Sequence, residues 1–182
     1  MHVKDERGDA ARLANLFGAA ALAATGAMMA AAAAVTDGGL SAAAALVTLA
    51  SDPGIGVTEL SRRLGLSQPG ATRLVETLAG RGLVRSSAET AGRSVALRLT
   101  EAGLDRARLI LAGREHALAD LLAPLGEADR QHLEAALSRV LQRLTDEGAP
   151  VHRTCRLCDE QACAADTPCP VDLAWRRGGR PC

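Results

Sequence analysis

The chain has almost no aromatic residues: Phe17 and Trp175 are its only ring hydrocarbons in 182 residues. A core must therefore be assembled from Leu, Val and Ala, which suits packed helices better than an aromatic-rich β-sandwich. With 48% hydrophobic residues there is enough material to build one. The length allows one sizeable domain, or one domain with an appendage. Residues 17–35 (FGAAALAATGAMMAAAAAV) carry no charge and reach the length of a membrane span. Their Ala-rich composition, and the mixed charges of the preceding MHVKDERGDAAR, read instead as a soluble helix and not as a signal peptide. No membrane partner is expected, and a reducing cytoplasm is the expected compartment.

Helical signals dominate the pass along the chain. Residues 10–35 are helix-prone, and Gly38-Gly39 breaks the run. Residues 40–51 form a second apolar helix, with Ser41 as its N-cap and Asp52-Pro53-Gly54 at its close. A short helix covers 57–64 and ends at Gly65. The next runs over 68–80, with Ser67 at its N-cap and Pro69 in its first turn. There Ala71, Leu74, Val75 and Leu78 share one face at helical spacing. The period then changes. Leu83-Val84-Arg85 reads as a strand, and Val95, Leu97 and Leu99 alternate with polar or small residues as a second, joined by a polar loop. Helix returns at 101–122, capped by Thr100, and at 127–146, where Leu133, Ala136, Leu137, Val140, Leu141 and Leu144 form a stripe. Gly148-Ala149-Pro150 marks a boundary, so the expected division is a body of 1–150 and a cysteine-rich extension of 151–182.

Two short helices about a tight turn, followed by a hairpin, make a winged helix-turn-helix at about residues 40–100. The second helix of such a unit enters the major groove of double-stranded DNA and presents its first residues to base edges. Gln68, Gly70, Thr72 and Arg73 take the outward positions. Gln and Arg can bond adenine and guanine edges in pairs, and Thr can meet a thymine methyl. Backbone N–H groups at the helix start, beside Ser67, can hold a phosphate. Residues 57–98 hold seven arginines against three acids, a local +4 in a chain of zero net charge. A local basic patch is what a phosphate backbone attracts, and Arg98 on the second strand belongs to it.

Three stretches resemble the MarR family of bacterial transcription regulators: GVTELSRRLGLSQPGATRLVETLAGRGLVR, GRSVALRLTEAG and LADLLAPLGEADRQHLEAALSRVLQRLT. The resemblance extends over about residues 10–146. It implies a mainly α fold in which N- and C-terminal helices flank the winged helix and pair two chains into a homodimer. It also implies that Arg93 is the wing arginine placed in the minor groove. Two positions depart from the family pattern. Ala91 stands where many members carry an acid that would orient that arginine. Gly70 stands where the recognition helix usually carries a larger residue, and it reads equally as a close approach to DNA or as drift. A two-fold dimer sets its recognition helices about 34 Å apart and expects an inverted-repeat operator.

The extension carries Cys155, Cys158, Cys163 and Cys169 in the spacing C-x2-C-x4-C-x5-C. Four thiolates so close together are metal-ligand chemistry. An iron–sulfur cluster is the favoured reading: four Cys supply every ligand, Pro170 follows the last, and several arginines lie nearby. Structural zinc is the second reading, although only Cys155 and Cys158 form a C-x2-C pair. A metal-free thiol switch between those two is the third. Cys182 reads as a bystander and His152 as a loop residue. Leu157, Val171, Leu173 and Trp175 are the segment's few apolar anchors, so a metal staple would help it fold. It follows Pro150, just past the expected dimer helix and far in sequence from the recognition helix, so it need not touch DNA and is expected to stiffen or sense at the dimer end.

No catalytic Ser/His/Asp group, phosphate-cradling loop or carboxylate pair stands out, and His116 and His132 read as helix-surface residues; an iron–sulfur enzyme is a distant alternative. The expected function is a DNA-binding transcription regulator, a repressor in the first reading, tuned through the four cysteines. The alternative is a regulator answering to a small-molecule effector, with structural zinc at the cysteines.

Overall fold

A computed structural model describes residues 6–36, 39–87 and 95–178. Six longer helices and one hairpin come first: α1 (Glu6–Val35), α2 (Gly39–Ser51), α3 (Val57–Leu64), α4 (Gln68–Gly80), β1 (Val84–Ser87), β2 (Ala96–Leu99), α5 (Glu101–Leu122) and α6 (Glu127–Asp146). Three short helices follow: α7 (Val151–Thr154), α8 (Glu160–Cys163) and α9 (Pro170–Arg177). The fold is mainly helical with one two-stranded antiparallel sheet, as expected.

The core is built around α2. Ala42 to Val47 and Leu49 are buried, and they gather Leu60 and Leu64 of α3, Leu78 of α4, Val84, Leu97 and Leu99 of the hairpin, and Ala107 and Ile110 of α5. Alanines on α2 let these elements come close on every side, which an aromatic-poor sequence needs for dense packing. The hairpin pairs Val84 with Leu99 and Ser86 with Leu97. Its free edge is extended by the α2–α3 loop: Gly54 N–H donates to the Leu97 carbonyl at 2.8 Å, and Leu97 N–H to the Ile55 carbonyl at 3.0 Å. Val95, expected on the buried side of this strand, is exposed and lies outside β2.

Capping explains where these helices start and stop. Ser67 Oγ accepts from Gly70 N–H, and Thr100 Oγ1 accepts from Gly103 N–H, each satisfying a donor at the helix start. Ser41 caps nothing; α2 has begun two residues earlier. Gly103 is required by contact, because a Cβ there would overlap the Leu83 carbonyl oxygen. The first turn of α5 is thereby pressed onto the strand that precedes the wing.

α1 runs along α5, while α9 packs along α6. The stripe on α6 divides: Leu133, Ala136 and Leu141 are half-buried, whereas Leu137, Val140 and Leu144 are exposed. The extension was read as nearly coreless, yet Val151, Leu157, Val171 and Ala174 are buried and Leu157 joins the main core. Leu173, one of its expected anchors, is exposed.

Candidate nucleic-acid interface and cysteine cluster

The helix-turn-helix is held rigid by polar contacts within it. Gly65 ends α3 in the left-handed conformation, at φ +68°, and Leu66 N–H reaches back to the Ser61 carbonyl at 3.0 Å. Gln68, at the first turn of α4, bridges to α3: Ser61 Oγ donates to its Oε1 at 3.1 Å, and its Nε2 donates to Thr58 Oγ1 at 3.0 Å. Both ends of the amide are thus used to fix the angle between the two helices. Gln68 is exposed but bound in this bracket, a pairing across ten residues that local sequence patterns do not report.

Thr72 and Arg73 project from the same end of α4 and are exposed. Thr72 Oγ1 donates to the Gln68 carbonyl at 3.0 Å. Gly70 is half-buried. Its N–H carries the cap bond, and a Cβ there would stand 3.0 Å from Ser67 Oγ. A side chain there would make the Ser67 hydroxyl give by a few tenths of an ångström. Arg98 is half-buried, and its guanidinium lies 3.9 Å from where a Cβ on Gly54 would stand, so it folds toward the α2–α3 loop. Arg93 lies outside the described residues.

The basic patch is not uniform. Glu59 pairs with Arg62 at 2.6 Å and Arg63 at 2.7 Å, and Arg63 also holds Asp52 at 2.6 Å. The Arg62 guanidinium, with Arg63, holds the Glu59 carboxyl well below the usual range, at about 2. Arg63 braces α3 against the end of α2, while Arg62 pairs within α3. Among the described residues of the patch, Arg73 on α4, Arg81 after it and Arg85 on β1 are also exposed.

The extension stands beside this unit, not only at the far end of the molecule. α7 packs on α3, and the Arg153 side chain covers Gly65 so closely that a Cβ there would overlap its guanidinium. The cysteine segment, far in sequence from the helix-turn-helix, thus reaches it through α7. A small cleft joins Val47, Thr48 and Arg63 to His152, Cys155 and Cys158. His152 is half-buried and meets Trp175 edge-on, with ring centroids 5.8 Å apart, which ties α7 to α9. Burial first, then the Arg63 and Arg62 charges, lower its pKa.

All four cysteines are free thiols and half-buried. Cys155 caps the end of α7, Cys163 ends α8, and Cys169 precedes α9. Cys163 and Cys169 sulfurs stand 3.8 Å apart, and Cys158 Sγ donates to the Asp159 carbonyl at 3.7 Å. Burial and then the neighbouring sulfur of Cys169 push Cys155 up to about 11; burial and then Cys158 push Cys163 up to about 12. Among the described residues no three His, Cys, Asp or Glu side chains are closed around a metal position, so the thiols are gathered but not yet converged. Arg114 of α5 is the neighbour that sequence reasoning missed. Its charge favours the thiolates of Cys155 and Cys158, and its buried Nε finds no hydrogen-bond partner among the described residues.

A helix-turn-helix followed by a two-stranded wing defines a winged helix. Within that class, residues 39–94 match the MarR family model. The transcriptional repressor MprA of Escherichia coli is 33% identical over 102 residues, which cover 54% of this chain and 58% of that protein. The match therefore spans little more than half the length of that relative. The YusO protein of Bacillus subtilis superposes with a TM-score of 0.67 at 18% identity, covering 76% of this chain and 99% of its own. The MarR family protein Rv2887 of Mycobacterium tuberculosis, solved with DNA, gives a TM-score of 0.58 at 21% identity, covering 70% and 96%. The same protein solved with salicylic acid gives 0.53 at 24%, covering 69% and 92%.

Proposed function

We propose that the chain is a MarR-type transcription regulator that binds an inverted-repeat operator in double-stranded DNA as a homodimer, acting as a repressor in the cytoplasm. One observation carries this reading: Thr72 and Arg73 stand exposed at the start of a helix whose angle is fixed by the Gln68 bracket, within the segment that matches the MarR family model. Rigid presentation is what base reading requires, because a bidentate contact tolerates little angular error. The DNA complex of Rv2887 supports the same use of this fold. Support for the homodimer comes from apolar side chains left exposed on α1, α5 and α6, including Phe17, Leu109 and Val140. Operator affinity would answer to the state of the four-cysteine segment, which touches α3.

The test is selection of binding duplexes from a random pool, followed by affinity measured against salt. A specific inverted repeat with a steep salt slope is expected. Arg73→Ala should weaken operator binding by about 1–3 kcal/mol and relax one base position in each half-site. A chain that shows no salt-dependent affinity for any duplex is not a regulator of this kind.

A second reading has its own observation. A cavity of about 230 Å³ lies between α1, α2, α4 and α5, lined by Val35, Thr36, Leu46, Leu78, Arg81 and Arg106. Apolar walls with two guanidinium groups suit a small aromatic or aliphatic carboxylate, and the salicylic acid complex of Rv2887 supports such an effector. In this reading the cysteines serve as a purely structural zinc site.

A further inference from the structure

The sulfur geometry suits a tetrahedral thiolate centre. Zinc–thiolate bonds of about 2.3 Å directed to the corners of a tetrahedron set neighbouring sulfurs about 3.8 Å apart. Cys163 and Cys169 stand at that spacing, 3.8 Å apart. Charge on Cys169 or Cys163 disfavours charge on Cys155, so sulfurs from both halves of the motif share one neighbourhood. A single ion needs only that these thiols close around it; a two-iron cluster sets two cysteines on each iron at the same spacing, and acid-labile sulfide is what tells it apart.

The backbone supports the same centre. Cys158 N–H donates to the Cys155 carbonyl at 2.8 Å, closing a tight turn, and both residues of the C-x2-C pair line the same cleft. Cys163 N–H donates to the Asp159 carbonyl at 2.9 Å, and Asp159 Oδ1 caps α8 at Ala162. Leu173 N–H donates to the Cys169 carbonyl at 3.0 Å, fixing the fourth cysteine at the head of α9. Three turns hold the four thiols.

We propose that Cys155, Cys158, Cys163 and Cys169 bind one tetrahedral zinc-class divalent ion, which locks the extension as a brace between α6 and the helix-turn-helix. Binding releases four thiol protons to solvent and leaves a centre of net charge −2. The hydrogen bonds that Cys158 gives to the Asp159 carbonyl and Cys163 gives to Cys169 end with those protons, freeing the sulfurs to converge. The Arg114 guanidinium, beside Cys155 and Cys158 with its Nε unpartnered, supplies compensating charge from α5. Arg156 stands in the same cleft.

The brace has a continuous path. α9 lies along α6, and Arg177 reaches Asp146 at 3.5 Å. Trp175 meets His152, which joins α9 to α7 across the cysteine loops. Arg153 of α7 then rests on Gly65, the turn between α3 and the recognition helix. The coupling to operator affinity rests on the DNA-binding function proposed above; the metal site does not.

Two measurements separate these parts. Protein purified without chelator is expected to carry one zinc per chain by mass spectrometry of the metal. Cobalt(II) exchanged into it should show intense thiolate charge-transfer bands and the visible bands of a tetrahedral sulfur site. Iron with acid-labile sulfide, or a cobalt titration that leaves no thiolate bands, overturns the site. Withdrawing the ion with a chelator under reducing conditions should lower operator affinity by roughly 5- to 150-fold, with recovery on adding zinc. Unchanged affinity overturns the brace and leaves the site standing. Because a Cys163→Ser, Cys169→Ser chain is liable to unfold, Arg153→Ala provides the second variant: it should keep one zinc per chain and lose part of the metal-dependent change in affinity. A full response in that variant also overturns the brace.

Discussion

α1 and α2 are written in nearly the same alphabet and meet opposite fates. Both are runs of alanine relieved by Leu, Val and Met. α2 is buried along most of its length and anchors the core, with Leu46 fully inaccessible. α1 touches α5 with one narrow side and leaves Leu13 68% and Leu22 77% exposed. It is also the one described helix long and apolar enough to cross a membrane, although length and composition alone are weak evidence for that. Composition therefore decides that each is a helix but not what covers it. α2 is surrounded by elements of its own chain. α1 has an apolar surface that its own chain does not cover, continuous in kind with the exposed residues of α5 and α6. Exposed apolar surface on this scale marks an association site.

The largest effect should follow from charging that surface. Leu16→Glu with Phe17→Glu places two carboxylates where the proposed dimer buries both side chains. Sedimentation should report a monomer, and operator affinity should fall by about 30- to 1,000-fold, the range for losing interface hot spots of about 2–4 kcal/mol. Circular dichroism of the monomer should keep its helix content, since neither residue belongs to the core. If the unaltered chain already sediments as a monomer at micromolar concentration, then α1 is covered by something other than a second copy, and the contrast with α2 needs a different cause.

The next effect sharpens the contrast within one chain. Leu46→Ala on α2 removes a fully buried side chain and should cost about 2–5 kcal/mol in denaturant unfolding. Ala43→Leu, at a position with no exposed surface, should cost about 1–3 kcal/mol by overpacking. The matched changes on α1, Leu22→Ala and Ala30→Leu, fall on exposed positions and should shift fold stability by less than about 0.5 kcal/mol when measured on the charged monomer. Equal losses on both helices would erase the distinction.

The same contrast shows what could be read from the sequence. Helices α3 to α6 begin and end where Ser67, Thr100, Gly65 and the following breakers set them, because caps act over three or four residues and need no tertiary information. The period change that gave the hairpin is equally local. Val95 was misassigned because alternation alone cannot say where pairing stops. The bracket on Gln68, the Arg153–Gly65 contact and the place of Arg114 beside the cysteines all join residues distant in sequence, so no window of residues could report them. The short helices α7 to α9 are below the length at which isolated helices are stable, and they exist through packing on α3 and α6. The four thiols were legible as a motif; that they gather beside the helix-turn-helix was not.

The smallest effect lies where the two helices meet. Thr36 follows the last turn of α1 and is buried; its Oγ1 donates to the Ala32 carbonyl at 2.8 Å and approaches the Gly39 carbonyl at 3.3 Å. It links the end of the exposed helix to the start of the buried one, and it also lines the cavity that Arg81 and Arg106 share. Thr36→Val keeps the shape and removes the donor. Ala32 keeps its bond from Thr36 N–H at 3.0 Å, so the loss is confined to one hydroxyl and should be about 0.5–1.5 kcal/mol in denaturant unfolding. Helix α1 is tied to the body mainly through α5 and needs this joint little, so hydrogen exchange should quicken at residues 32–40 and stay unchanged along the rest of α1. Exchange that quickened through the whole of α1 would mean that the joint, and not the packing on α5, holds the exposed helix in place.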